Sequence, residues 1–155
     1  MVDRIEVVRE ITATPEVVWQ LVSDLPRMGE WSPENTGGEW VKGATGPASG
    51  ARFKGRNAAG SREWSTTVTV IDARPGERFS FLVTTGPLKI AEWSFDIVAS
   101  DSGCRVTQTW IDRRGKLITF VGLRLSGVDD RATFSRQSME QTLAGVAAAA
   151  ESSSP

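Results

Sequence analysis

The sequence has no histidine, no tyrosine and a single cysteine, Cys104. Each absence removes a class of chemistry. Without histidine, Ser-His-Asp and Cys-His catalysis and His-based metal sites are excluded, and the usual acid–base group near neutral pH is missing. One cysteine cannot form an internal disulfide, which fits a reducing compartment. No apolar run reaches the roughly 18 residues of a membrane span. The first residues carry Asp3, Arg4 and Glu6 where a secretory segment would be apolar, so the expected location is cytoplasmic. An excess of charge of one sign is also lacking. The 18 basic and 19 acidic residues leave a net charge of -1, and the longest basic run is Arg113-Arg114-Gly115-Lys116. No nucleic-acid partner is expected from that balance.

What is present is turn chemistry and alternation. A chain of 155 residues is one domain's worth. The reading is a single domain over residues 1–151 with a disordered tail at 152–155. Residues 3–12 read as a strand, with Ile5, Val7, Arg9 and Ile11 on one face. Thr14-Pro15-Glu16 is a helix start: a capping hydroxyl, a proline at the first helical position and an acid in the first turn. This helix turns Val18, Leu21 and Val22 inward and ends near Ser23. A second short helix restarts at Asp24-Leu25-Pro26 and stops before Pro33.

Gly37-Gly38, Gly43 to Gly50, Ala59-Gly60, Pro75-Gly76, Gly86-Pro87 and Ser102-Gly103 then punctuate six runs, near 39–42, 51–58, 62–73, 77–85, 89–99 and 104–112. Several runs alternate. Trp64, Thr66, Val68 and Val70 share a face, as do Phe79, Phe81 and Val83; Trp93, Phe95 and Ile97; and Val106, Gln108 and Trp110. That pattern predicts an antiparallel sheet with one solvated face. From Val128 to Ala150, the stripe Val128, Ala132, Met139, Leu143, Val146 and Ala150 predicts a helix, with Phe134 nearly opposite it. Residues 117–125, LITFVGLRL, read as a flap or short helix between sheet and helix.

A seven-stranded sheet twists and coils, so one helix across its concave face cannot touch every inward residue. The thin stretch at Gly145 and Ala147 to Ala150 predicts a gap there. The inward aromatics Trp64, Phe79, Phe81, Trp93, Phe95 and Trp110 are then either solid core or the wall of an apolar cavity.

The run from Ile11 to Trp19, ITATPEVVW, followed by Val22-Ser23-Asp24 and Trp31-Ser32-Pro33-Glu34, resembles the N-terminal signature of actinobacterial polyketide cyclase/dehydrase-like proteins. These belong to the START / Bet v 1-like (SRPBCC) superfamily. Gly55-Arg56-Asn57, Arg74-Pro75-Gly76-Glu77-Arg78-Phe79 and Met139-Glu140-Gln141-Thr142-Leu143 agree with it. The resemblance implies an α+β helix-grip fold: a seven-stranded curved antiparallel sheet wrapped around a long C-terminal helix, with two short helices after the first strand. It also implies a cavity for a small hydrophobic or amphipathic ligand such as a lipid, polyketide or aromatic metabolite.

The candidate ligand-binding residues are Asn57, Trp64, Phe81, Trp93, Phe95, Gln108, Trp110, Met139 and Leu143. Among them Gln108 and Asn57 are polar residues on an apolar face, where each either contacts a ligand carbonyl or hydroxyl or satisfies the fold. Arg9 has the same choice. Glu34 is the one carboxylate beside the expected mouth, and becomes a general base only if desolvated. Glu63 and Glu92 point outward. The glycine-rich stretch from Gly43 to Gly50 lacks the Lys-Ser/Thr ending of a phosphate loop and reads as a turn. No metal or other cofactor is expected, and the chain is taken as a monomer or homodimer. Ligand binding is the first functional reading. A cofactor-free cyclase, aromatase or dehydratase is the second. A regulatory interaction module is the third, resting on the apolar segment 117–125.

Overall fold

The alternating runs become the strands of one sheet, and each strand's inward face is the one its aromatic and branched residues mark. The computed structural model describes residues 4–31, 35–59, 61–113 and 131–153. The strands are β1 (Arg4–Ile11), β2 (Asn35–Val41), β3 (Arg52–Ala59), β4 (Arg62–Arg74), β5 (Arg78–Thr85), β6 (Leu88–Ser100) and β7 (Gly103–Asp112). They pair antiparallel throughout, in the order β1-β7-β6-β5-β4-β3-β2. Helix α1 (Pro15–Val22) and a 3-10 segment (Leu25–Glu30) follow β1, and helix α2 (Arg131–Ser153) ends the chain. Helix α2 continues through Ser153, two residues into the expected tail. The segment 117–125, Glu34 and Val128 lie outside the described residues, as do the side chains of Ala132 and Phe134.

Thr14 caps α1 as its sequence position implies: its Oγ1 accepts a hydrogen bond from the Val17 N–H at 3.3 Å. The helix buries Val18, Trp19 and Val22. Trp19 fits because its ring meets Phe79 edge-on, with centroids 6.2 Å apart, and its Nε1 donates to the Arg78 carbonyl at 2.9 Å.

Two expectations are corrected. Gly37-Gly38 is not a turn; both glycines lie inside β2, which begins at Asn35. A bulge between Asn35 and Gly37 shifts the register there. Gly38 is required because a Cβ at that position would meet the Phe53 ring and the Lys54 carbonyl. The thin part of α2 also leaves no gap. Ala147 and Ala150 are fully buried in the main core beside Val18 and Val22, and Gly145 lies against Trp31. Small residues here bring α2 close to α1 and to Trp31.

The convex face is not uniformly wet. Ser80, Ser94 and Thr109 stand side by side across β5, β6 and β7, and all three are buried. The Ser80 hydroxyl accepts from the Asp72 N–H at 3.2 Å, just where β4 bulges between Val70 and Asp72. Arg78 ties three strands together, pairing with Asp72 at 3.2 Å and Asp96 at 2.7 Å.

Candidate functional site

Inside the sheet's curve the side chains form cross-strand rows. Trp93 stands between Phe81 and Trp110, and Trp110 in turn faces Ile5. Gln108 stands between Phe95 and Val7. At one end the concave face is filled by α1, the 3-10 segment and the last turns of α2. Beside it a smaller cluster of Ile5, Ala91, Trp110 and Met139 packs under the start of α2. A cavity of about 140 Å³ lies against both clusters, reached by strands β3 to β7, by α2 and by Leu25 and Met28 of the 3-10 segment.

Of the nine candidate residues, the structure brings seven to this cavity. Phe95, Gln108 and Trp110 are buried and make its floor, with Phe81 beside them. Asn57, Trp64 and Trp93 are half-buried along its wall. Met139 and Leu143 are not brought there. Both point along α2 into solid core, Met139 against Ile5 and Trp110, Leu143 in the main cluster. The helix instead presents Ser138 and Thr142, one turn apart, to the cavity. An apolar-stripe reading passes over them because they are polar. Their i,i+4 spacing beside Met139 and Leu143 was the available signal. The Thr142 hydroxyl donates to the Ser138 carbonyl at 2.8 Å, which lets it lie buried on a helix.

The two polar strand residues differ. Asn57 has a protein partner: its Nδ2 donates to Thr66 Oγ1 at 3.2 Å, and both residues line the cavity. Gln108 is 3% exposed, and its Oε1 is buried with no hydrogen-bond partner among the described residues. Arg9 shares the inward face in register but sits on edge strand β1 and is exposed, away from the cavity. Phe79 is solid core. Glu63 is exposed, and Glu92 is half-buried with an ion pair to Arg113 at 3.1 Å. Among the described residues none that lines the cavity is charged, and no group of three or more Cys, Asp or Glu is placed to hold a metal ion. No described helix is long and apolar enough to cross a membrane.

A curved antiparallel sheet closed by one long helix over an aromatic-walled cavity defines the helix-grip class of α+β domains. The chain belongs to the family described as polyketide cyclase / dehydrase and lipid transport, which it matches over residues 3–151. No curated protein matches the sequence. Among solved structures, it is similar to the polyketide cyclase-like protein Cgl2372 of Corynebacterium glutamicum, at 29% identity and a TM-score of 0.53, covering 96% of this chain and 85% of that one. It shares its fold with the major latex-like protein 151 of Panax ginseng, at 10% identity and a TM-score of 0.71 over 95% and 96% of the two chains. It also shares it with the di-domain ARO/CYC protein StfQ of the steffimycin biosynthetic pathway, at 11% identity and a TM-score of 0.72 over 96% of this chain and 50% of StfQ.

Proposed function

We propose that the protein binds a small hydrophobic or amphipathic molecule, of the lipid, polyketide or aromatic-metabolite kind, in the cavity between sheet and α2. The observation that carries this is an aromatic-walled hollow whose floor holds a buried amide oxygen, Gln108 Oε1, without a partner among the described residues. Native interiors pack densely, and a hollow lined by Trp64, Trp93 and Trp110 loses contacts that a flat apolar ligand restores. Burial of the ligand's apolar surface, at about 25 cal/mol per Å², drives binding, and one or two polar contacts orient it.

A second reading is a cyclase, aromatase or dehydratase. The family description and the fold shared with StfQ favour it. The described lining offers amides and hydroxyls and no ionisable side chain, so catalysis would come from holding a flexible substrate in a reactive fold.

The test is native mass spectrometry of the protein purified from its own host, followed by denaturing extraction. The expected result is a mass excess that is lost on denaturation and recovered as a small apolar compound. Adding that compound back at a hundredfold excess over its dissociation constant should stabilise the fold by about 2.7 kcal/mol. An empty protein whose melting temperature no fatty acid, polyketide or aromatic compound raises would defeat the reading.

A further inference from the structure

We infer that the buried part of the ligand is a single ring bearing a neutral hydroxyl, and that this hydroxyl hydrogen-bonds to the Gln108 amide at the cavity floor. The inference rests on the proposed ligand site and adds the chemistry that site selects.

Three observations carry it. The first is the state of Gln108. Its neighbours across the strands are Val7 and Phe95, and along β7 they are Val106 and Trp110. In that apolar setting its Oε1 is buried without a partner among the described residues. An unmade hydrogen bond inside a protein is strongly unfavourable, so this oxygen calls for a partner that the described residues do not supply. A hydroxyl both donates and accepts, and so satisfies the amide in either orientation. A carbonyl only accepts and leaves Oε1 alone.

The second is charge. None of the described lining residues is charged. A carboxylate, phosphate or ammonium entering here would lose its water and find no counter-charge among the described residues, which disfavours ionised ligands.

The third is size. The cavity holds about 140 Å³, close to the roughly 150 Å³ known to accept one benzene ring in an apolar protein core. The floor therefore takes one ring. A longer molecule extends along half-buried Asn57 and Trp64.

The experiment is a titration of the full-length protein at neutral pH with p-cresol, toluene, 4-methylanisole and 4-methylbenzoate, four single rings of similar outline. Binding is followed through the indole N–H signals of Trp64, Trp93 and Trp110, which line the cavity. The expected order puts p-cresol about tenfold or more ahead of toluene and 4-methylanisole, with 4-methylbenzoate not bound. In Gln108→Leu the p-cresol advantage disappears while toluene still binds; Gln108→Met serves the same purpose if the leucine variant does not fold. A hydroxyl entering an apolar pocket without a partner binds worse than the bare ring. Equal affinity for p-cresol and toluene in the wild-type protein, or an unchanged preference in the variants, therefore overturns the Gln108 inference while leaving the cavity reading standing. If 4-methylbenzoate binds as well as p-cresol, the neutral-ligand assignment is overturned. If no ring shifts the three indole signals, the cavity reading fails as well.

Discussion

Cys104 is fully buried in the main core, and that burial, with smaller contributions from the Glu10 and Glu16 carboxylates, pushes its thiol above the ordinary range. The consequence for stability has a definite sign. The folded thiol holds its proton to higher pH than the unfolded one, which ionises at about 8.5. The contribution is fully present below that unfolded value and is lost as pH rises toward the folded one, because only the unfolded chain releases the proton. Between about pH 8 and 10, wild-type stability should therefore fall more steeply than that of Cys104→Ala, measured by denaturant titration at each pH. Parallel curves would show that the thiol titrates alike in both states. Gln108 is the complementary residue. Its face was legible from its place between Val106 and Trp110. That its amide oxygen lacks a partner among the described residues was not, since Asn57, equally polar on an equally apolar face, turns out to bond Thr66.

At the scale of elements, the junction between α2 and the 3-10 segment sets how deeply the helix sits. Gly145 meets Trp31 so closely that a Cβ would run into the tryptophan's own Cβ and lie 3.1 Å from its Cα. In an isolated helix, glycine to alanine is stabilising by about 1 kcal/mol. Here Gly145→Ala should instead destabilise the fold by about 1–3 kcal/mol, because helix and backbone must separate. Chemical denaturation measures this, and a gain in stability would show that Trp31 does not rest on the helix. The same closeness explains why the small residues of α2 misled: a stretch of Gly and Ala reads as spare room in one dimension and becomes the tightest contact in three. Likewise β2 begins earlier than its sequence implies, because glycine is a weak strand former yet the only residue that fits beside the Phe53 ring.

For the whole molecule the sheet order matters most. All five inner strands have hydrogen-bonded neighbours on both sides, and β5 to β7 are also buried on their convex face at Ser80, Ser94 and Thr109, while β1 and β2 are the sheet's two edges. Amide hydrogen exchange should therefore be slowest in β5 to β7 and at least about tenfold faster in β2, whose neighbouring loop from Lys42 to Gly50 is exposed or half-buried along its length. Uniform protection across all seven strands would mean that the sheet opens only as one unit.

Local chemistry determined the parts. Period-two alternation, turn residues and the Thr14-Pro15-Glu16 cap specify strands, their inward faces and the first helix, because each depends on residues within a few positions of one another. Only the tertiary structure decided which inward side chains meet. The pairing of β1 with β7 joins residues about a hundred positions apart and puts Val7 beside Gln108. The seating of α2 against the sheet buries Met139 and Leu143 in core and turns Ser138 and Thr142 to the cavity. Alternation says which side of a strand a residue takes. Whether it then touches another side chain or a hollow depends on packing across the whole domain, which no local pattern encodes.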